Sequence, residues 1–157
     1  MSDWIQQAKE REEKERNSAL ELERIRLGEV ERLKAVFPGW QNLLFVSLGK
    51  LSGELAKAFP NNLSRQYSVN LKAGGYSLRS QGLPETILDI EFTVSTQNIS
   101  VQHFNRVSIH DEPHRTFVSG GRIGITSQSD VFIDYNGTKY SDPAVFASDL
   151  MRMLTAL

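Results

Sequence analysis

The residues best suited to chemistry lie in one short segment of the chain. Two imidazoles and two carboxylates occur within five positions, at His110, Asp111, Glu112 and His114. Divalent metals such as zinc and manganese accept these groups as ligands, and the same groups can transfer protons. The sequence therefore raises the hypothesis of a metal-dependent or acid-base enzyme centred on the segment from His110 to His114.

The context of these histidines argues against a preformed metal site. His110 and His114 are separated by Pro113 and follow a strand pattern, whereas the His-Glu-x-x-His motif needs a helix to place both imidazoles on one face. The competing interpretation is a solvated loop between two strands, and we favour it, so that no metal is expected. His103 alternates with the apolar residues of the preceding strand, which predicts a packed core histidine.

Other motifs for catalysis or cofactor binding are weak. Ser119 and Ser52 each precede glycine, but neither has the Gly-x-Ser-x-Gly context of a nucleophilic serine. The pairs at 74–75 and 120–121 are Gly-Gly without the strand-loop-helix order and the lysine of a phosphate-binding loop. Hairpin turns and bulges explain these glycines better, and we expect no cofactor.

A third interpretation places a ligand on the predicted sheet. Tyrosines and basic residues spread over several strands can form a stacking surface for single-stranded nucleic acid or a small ligand. Tyrosine is also a common strand residue, and the sequence has no compact aromatic motif, so nucleic acid is not favoured. The residues concerned are Tyr67, Tyr76, Tyr135 and Tyr140 with Arg65, Arg79, Arg122 and Lys139.

The overall composition excludes several classes of protein. The 157 residues include 18 basic and 19 acidic side chains, a formal net charge of -1, whereas a duplex-binding domain normally has a basic excess. Cysteine is absent, which removes thiolate nucleophiles and disulfides. The longest apolar-leaning run, 43–51, is far shorter than the ~20 residues that a membrane-spanning helix needs. We expect no membrane insertion, and because no secretory signal is visible we expect a cytoplasmic location.

The elements that must position these residues begin with helices. Good helix formers dominate from Asp3 to about Phe37, where Pro38-Gly39 predicts a break. A second apolar stripe at helical spacing runs from Trp40 to Phe59 and is followed by proline. The pattern therefore predicts a helical hairpin with a short Pro-Gly turn.

The rest of the chain alternates with a period of two. About six strands follow from residue 66, with a phase slip near Phe104 that predicts a bulge and a hairpin signal at Asn136-Gly137. Asp142 and Pro143 are typical of a helix start. We predict an α+β fold with an N-terminal helical hairpin, an antiparallel meander of about six strands and a C-terminal helix packed on one sheet face.

The N-terminal helix carries the strongest hint of interaction. Residues 9–16 are eight consecutive charged residues, which cannot enter a core, and opposite charges recur at i and i+4. They separate an apolar tip, Trp4 and Ile5, from an apolar pattern that predicts docking of the helix from about Leu20, with Leu22 and Ile25 on the docking face. We predict a charged helical arm at 1–19 and a single α+β domain at 20–157.

These patterns favour a non-enzymatic protein-interaction or oligomerising module over an enzyme. The helical arm would dock to a protein partner or to a second copy, with Trp4 and Ile5 as the partner-binding residues, because exposed tryptophan is enriched among binding hot spots. The sheet face left open by the helices is a further candidate surface. The metal-dependent enzyme and the nucleic-acid or small-ligand module remain the alternatives.

Overall fold

The computed structural model describes residues 2–156, which form two α-helices, two short 3-10 helices and seven strands. Helix α1 (Asp3–Ala58) precedes the strands and helix α2 (Pro143–Ala156) follows them. All seven strands belong to one antiparallel sheet in chain order, which confirms the predicted α+β fold and meander. The strands are β1 (Tyr67–Lys72), β2 (Gly75–Ser80), β3 (Glu85–Thr93), β4 (Asn98–Arg106), β5 (His114–Ile125), β6 (Val131–Tyr135) and β7 (Thr138–Tyr140).

The predicted helical hairpin is wrong, because α1 continues through Pro38 as one helix of 56 residues. Proline lacks the N–H that would bond the carbonyl of Lys34, but both residues are exposed, so water can bind that carbonyl. The buried side chains on the two sides of Pro38 share one helical stripe and pack on the same sheet, which offsets the cost of proline. The stripe comprises Val30, Leu33, Phe37, Trp40, Leu44, Leu48 and Ser52.

The sheet has one covered and one open face. Alternate residues of the central strands, such as Leu78, Ile90 and Val101, point into the core beneath α1 and α2 and are fully buried. The intervening residues are mostly polar, and Lys72 and Asp89 form an ion pair of 3.8 Å there. The C-terminal helix therefore packs on one sheet face, as predicted, and shares that face with the second half of α1.

Aromatic side chains join the layers of the core. The Trp40 indole N–H donates to the Ser141 carbonyl at 3.0 Å, and its ring packs against Phe146 of α2. The Tyr76 hydroxyl on β2 donates to the Gln41 carbonyl of α1 at 2.6 Å, and burial raises the pKa of Tyr76 to about 12. These contacts fix α1 to the sheet only beyond its first half.

A β-bulge interrupts the pairing of β4 with β5. The register shifts between His103 and Phe104, where the sequence predicts a phase slip. The shift leaves Thr116 of β5 as the extra residue. His103 lies on the covered face and Phe104 faces the other side, opposite Ile87 of β3, as strand alternation requires. The prediction of a bulge at this place is confirmed.

Candidate interaction surface

The first part of α1 extends away from the sheet as an exposed helix, which we call the projecting segment (residues 3–29). The first buried residue of α1 is Val30. At 1.5 Å per residue the projecting segment is roughly 40 Å long. Trp4 has 71% of its surface exposed and Ile5 has 40%. The tip is thus open to a partner, while its role as the binding site stays a prediction.

Leu22 and Ile25 are exposed, contrary to the expected docking of this part of the helix on the body. Leu22 is 68% and Ile25 is 49% exposed, and Leu20 and Leu27 are also exposed. The body approaches Leu22 and Ile25 on one side only and leaves most of the Leu22 side chain and about half of the Ile25 side chain exposed. The division of the chain at residue 19 stays a prediction, but side-chain burial begins about ten residues later.

Short-range ion pairs accompany the helical conformation of the projecting segment. Arg24 bonds Glu21 at 2.6 Å and Arg26 bonds Glu23 at 2.7 Å, both at i and i+3. The hydrogen bond from each arginine lowers the pKa of its glutamate. Within residues 2–156, the i,i+4 pairs expected in the run 9–16 do not close to ion-pair distance. High intrinsic helix propensity therefore matters more there.

A polar joint marks where α1 meets the body. Arg26 donates to the Ser95 carbonyl at 3.1 Å, in the turn between β3 and β4. Glu29 accepts from the Gln97 amide at 3.2 Å and lies 3.8 Å from Arg122. Gln97 is buried, and its amide also donates to the Ile123 carbonyl at 3.1 Å. The joint sets the direction in which the projecting segment leaves the sheet.

A groove lies between the projecting segment and this joint, and we call it the junction groove. It has a volume of about 430 Å³. Leu22 and Ile25 line it from the helix, and Thr96, Asn98 and Arg122 line it from the sheet. Exposed apolar side chains beside polar groups in a groove are typical of a protein-interaction surface.

The segment predicted as a possible metal site is an exposed connection. His110, Asp111 and Glu112 lie in the turn after β4, and His114 is the first residue of β5, paired with Asn105. All four are exposed. Across residues 2–156, histidine, aspartate and glutamate form no group of three or more that could hold a metal. The structure therefore does not bring these four side chains together as a ligand set.

His103 is a core residue, as its alternation predicts. Its side chain is fully buried and stacks on Phe117 with 5.3 Å between ring centroids. The Nδ1 atom hydrogen-bonds with the Thr116 hydroxyl. Burial lowers the pKa of His103, which favours the neutral imidazole. His103 thus belongs to the packing of the covered face and is separate from the exposed turn.

The predicted stacking surface does not form from the tyrosines. Tyr67, Tyr76, Tyr135 and Tyr140 are all at most 8% exposed, because they point into the core beneath the helices. On the open face, Arg79 lies 3.9 Å from Glu85, so its charge is partly balanced. These four tyrosines therefore provide no exposed rings on the open face for stacking on bases.

The fold and the exposed residues define a class of protein, an antiparallel α+β domain with a long projecting helix. Comparison of the chain with protein-family models, curated proteins and solved structures finds no significant match. Within residues 2–156, neither helix combines the length and the apolar content that crossing a membrane would need. The exposed residues themselves therefore carry the functional argument.

Sequence reasoning missed the junction groove. Its two apolar residues, Leu22 and Ile25, are visible in the sequence at a helical spacing of three. The helical pattern, however, predicted that the body covers them. Gln97 was also missed, because it lies in a turn between strands and takes a left-handed conformation with φ of 56°. Only the tertiary structure shows that the turn after β3 reaches α1.

Proposed function

We propose that the protein is a non-enzymatic interaction module that docks through the projecting segment. The observations that support this proposal are the exposed apolar tip of a helix that projects from the body and two exposed apolar side chains in the junction groove. Trp4 at the tip and Leu22 and Ile25 at the groove are each at least 49% exposed. Tryptophan is enriched among the residues that dominate binding energy, and its exposure at the end of a helix makes Trp4 available for such a contact.

The charged run between tip and groove supports the same proposal. The side chains of residues 9–16 keep the helix solvated and hold the tip clear of the sheet. A rigid spacer of this kind lowers the entropic cost of presenting Trp4 to a partner, because the helix is already ordered before binding. The open sheet face is not required for this function.

The test compares two sets of substitutions in the full-length chain. Trp4→Ser with Ile5→Ser removes the apolar tip, and Leu71→Ser with Val107→Ser removes two body side chains that are 72% and 71% exposed. Light scattering of the pure protein and chemical cross-linking in its native cells measure association. We expect the tip variant to lose complexes that the wild type and the body variant keep.

Denaturant unfolding of both variants checks that the fold is unchanged. We expect each variant to keep the free energy of unfolding within about 0.5 kcal/mol of wild type, since exposed side chains contribute little to stability. Identical complexes in the tip variant and the wild type would refute the proposal.

A further inference from the structure

We propose that the projecting segment pairs with the same segment of a second copy in antiparallel orientation, so that Trp4 of each copy docks in the junction groove of the other. This inference rests on the proposed function, because it names the partner of the same surface. The partner is a second copy of this chain rather than an unrelated protein.

Trp4 and the groove residue Leu22, which would contact each other between two copies, lie on one face of the helix. Trp4 and Leu22 are separated by 18 residues, which is about five turns of 3.6 residues, so they lie on the same side of the helix. Arg11 lies seven residues after Trp4, and Glu15 lies seven residues before Leu22. A spacing of seven residues is nearly two turns and keeps Arg11 and Glu15 on that face.

The order of charges along this face selects the antiparallel orientation. When Trp4 lies opposite Leu22 of the second copy, the residue numbers of each pair sum to 26, and Arg11 therefore lies opposite Glu15, since 11 + 15 is also 26. The two-fold axis generates each of these pairs twice. A parallel pair in register would instead place arginine on arginine and glutamate on glutamate, which is unfavourable.

The junction groove suits an indole at the end of this pair. Leu22 and Ile25 provide apolar contact, and Arg122, whose side chain is 61% exposed, can stack on the ring from the sheet side. A buried tryptophan removes roughly 150–250 Å² from water, and the two-fold axis doubles this contribution. The groove volume of about 430 Å³ accommodates a side chain of this size.

Self-complementarity favours a second copy over an unrelated partner. Trp4 and Leu22 lie on the same face as Arg11 and Glu15, which are seven residues from Trp4 and from Leu22 respectively. Two copies of this face related by a two-fold axis are therefore complementary to each other. An unrelated partner would need only one half of this arrangement. The length of the projecting segment also allows the tip to reach the groove while the two bodies stay at opposite ends.

Charge-swap variants test the pairing directly. Arg11→Glu alone and Glu15→Arg alone place like charges opposite each other, and we expect each to weaken the dimer about tenfold or more. An equimolar mixture of the two variants restores both opposite-charge pairs, so a heterodimer should form. Sedimentation velocity on the single variants and on the mixture measures this, and failure of the mixture to restore dimers would overturn the proposed register.

A matched pair of leucine variants tests which face of the helix contacts the second copy. Leu22→Ser removes the groove contact, whereas Leu20→Ser alters a leucine of similar exposure, 64% against 68%, on the other side of the helix. We expect the first variant to weaken the dimer about tenfold or more and the second to leave it unchanged. Equal effects of the two variants would overturn the assignment of the face.

Introduced cysteines test the orientation, because the natural chain has none. Ala8 and Ala19 lie on the pairing face with numbers that sum to 27, one residue from register. A mixture of Ala8→Cys and Ala19→Cys chains should form a mixed disulfide in preference to either homodisulfide. Preferred Ala8→Cys homodisulfides would indicate a parallel pair and overturn the proposal.

The oligomeric state of the pure protein and the complexes found in cells test self-pairing and the proposed function separately. A monomer at all concentrations up to the millimolar range overturns self-pairing, but the proposed function survives if the tip variant still loses a complex with another protein in cells. If neither the pure protein nor the cellular complexes depend on Trp4, both proposals fail.

Discussion

The two parts of α1 share one helix but differ in what covers them. From Val30 onward a stripe of apolar residues packs against the sheet and α2, and Leu33, Leu44 and Leu48 of this stripe are fully buried. Before Val30 the projecting segment also has apolar residues, yet these are exposed. Helical amphipathicity therefore indicates that a face needs a partner without identifying whether the partner is the same domain.

Pairs of substitutions in the two parts of α1 give the largest contrast. Leu44→Ala leaves a cavity beneath the helix, and we expect it to lower the free energy of unfolding by about 2–5 kcal/mol. Leu22→Ala removes a similar side chain from an exposed site, and we expect a change below about 0.5 kcal/mol at a concentration where the protein is monomeric. Urea unfolding followed by tryptophan fluorescence measures both values.

Equal destabilisation of the Leu44→Ala and Leu22→Ala variants would contradict the difference between the two parts of α1. Such a result would mean that the projecting segment folds as part of the body and that its exposed face contributes to the core in solution. The m-value provides a control, since an unchanged m-value shows that both variants unfold the same amount of surface.

Proline in the packed part of α1 offers a second, smaller test. Proline costs about 3 kcal/mol relative to alanine in a helix interior, and Pro38 is exposed, so its ring is not needed to fill the core. We expect Pro38→Ala to raise the free energy of unfolding by about 1–3 kcal/mol, because it restores the N–H that the Lys34 carbonyl lacks. Thermal and urea unfolding measure the gain.

An absence of any gain would show that the helix has adapted around Pro38, for example by a local bend that alanine would not remove. Asn42→Ala is the control, because it also substitutes alanine on the exposed side of the same part of the helix. This variant isolates the ordinary difference in helix propensity from the effect of the proline ring.

The sequence predicted those parts of the fold that depend on residues close together in the chain. The alternation in β3, the hairpin signal at Asn136-Gly137 and the phase slip near Phe104 predict a strand, a turn and a bulge, and the structure has each of them. The continuity of α1 was not predictable from Pro38 and Gly39 alone, because it depends on a long-range surface. The phase of Phe37, Trp40 and Leu44 across the proline was the one local sign of it.

The candidate surface was only partly predictable for a related reason. Trp4 was identifiable because an apolar residue outside a charged run has no intramolecular partner nearby in sequence. The junction groove depends on the turn at Gln97 reaching α1, a contact between residues 68 positions apart. The composition of the segment from His110 to His114 suggested chemistry, but composition alone does not fix the directions of side chains in an exposed turn.

The smallest expected effect locates the boundary between the two parts of α1. Gly28 and Gly39 are both exposed, and an added Cβ would meet nothing within 4 Å at either position. We expect Gly39→Ala to raise the free energy of unfolding by about 0.5–1 kcal/mol, because alanine favours the helix by this amount. Gly28 lies just before Val30, so we expect Gly28→Ala to give a smaller gain and mainly to slow amide hydrogen exchange in the projecting segment. Equal gains at the two glycines would place the boundary before residue 28, whereas no change in exchange would show that the projecting segment is already as ordered as the body.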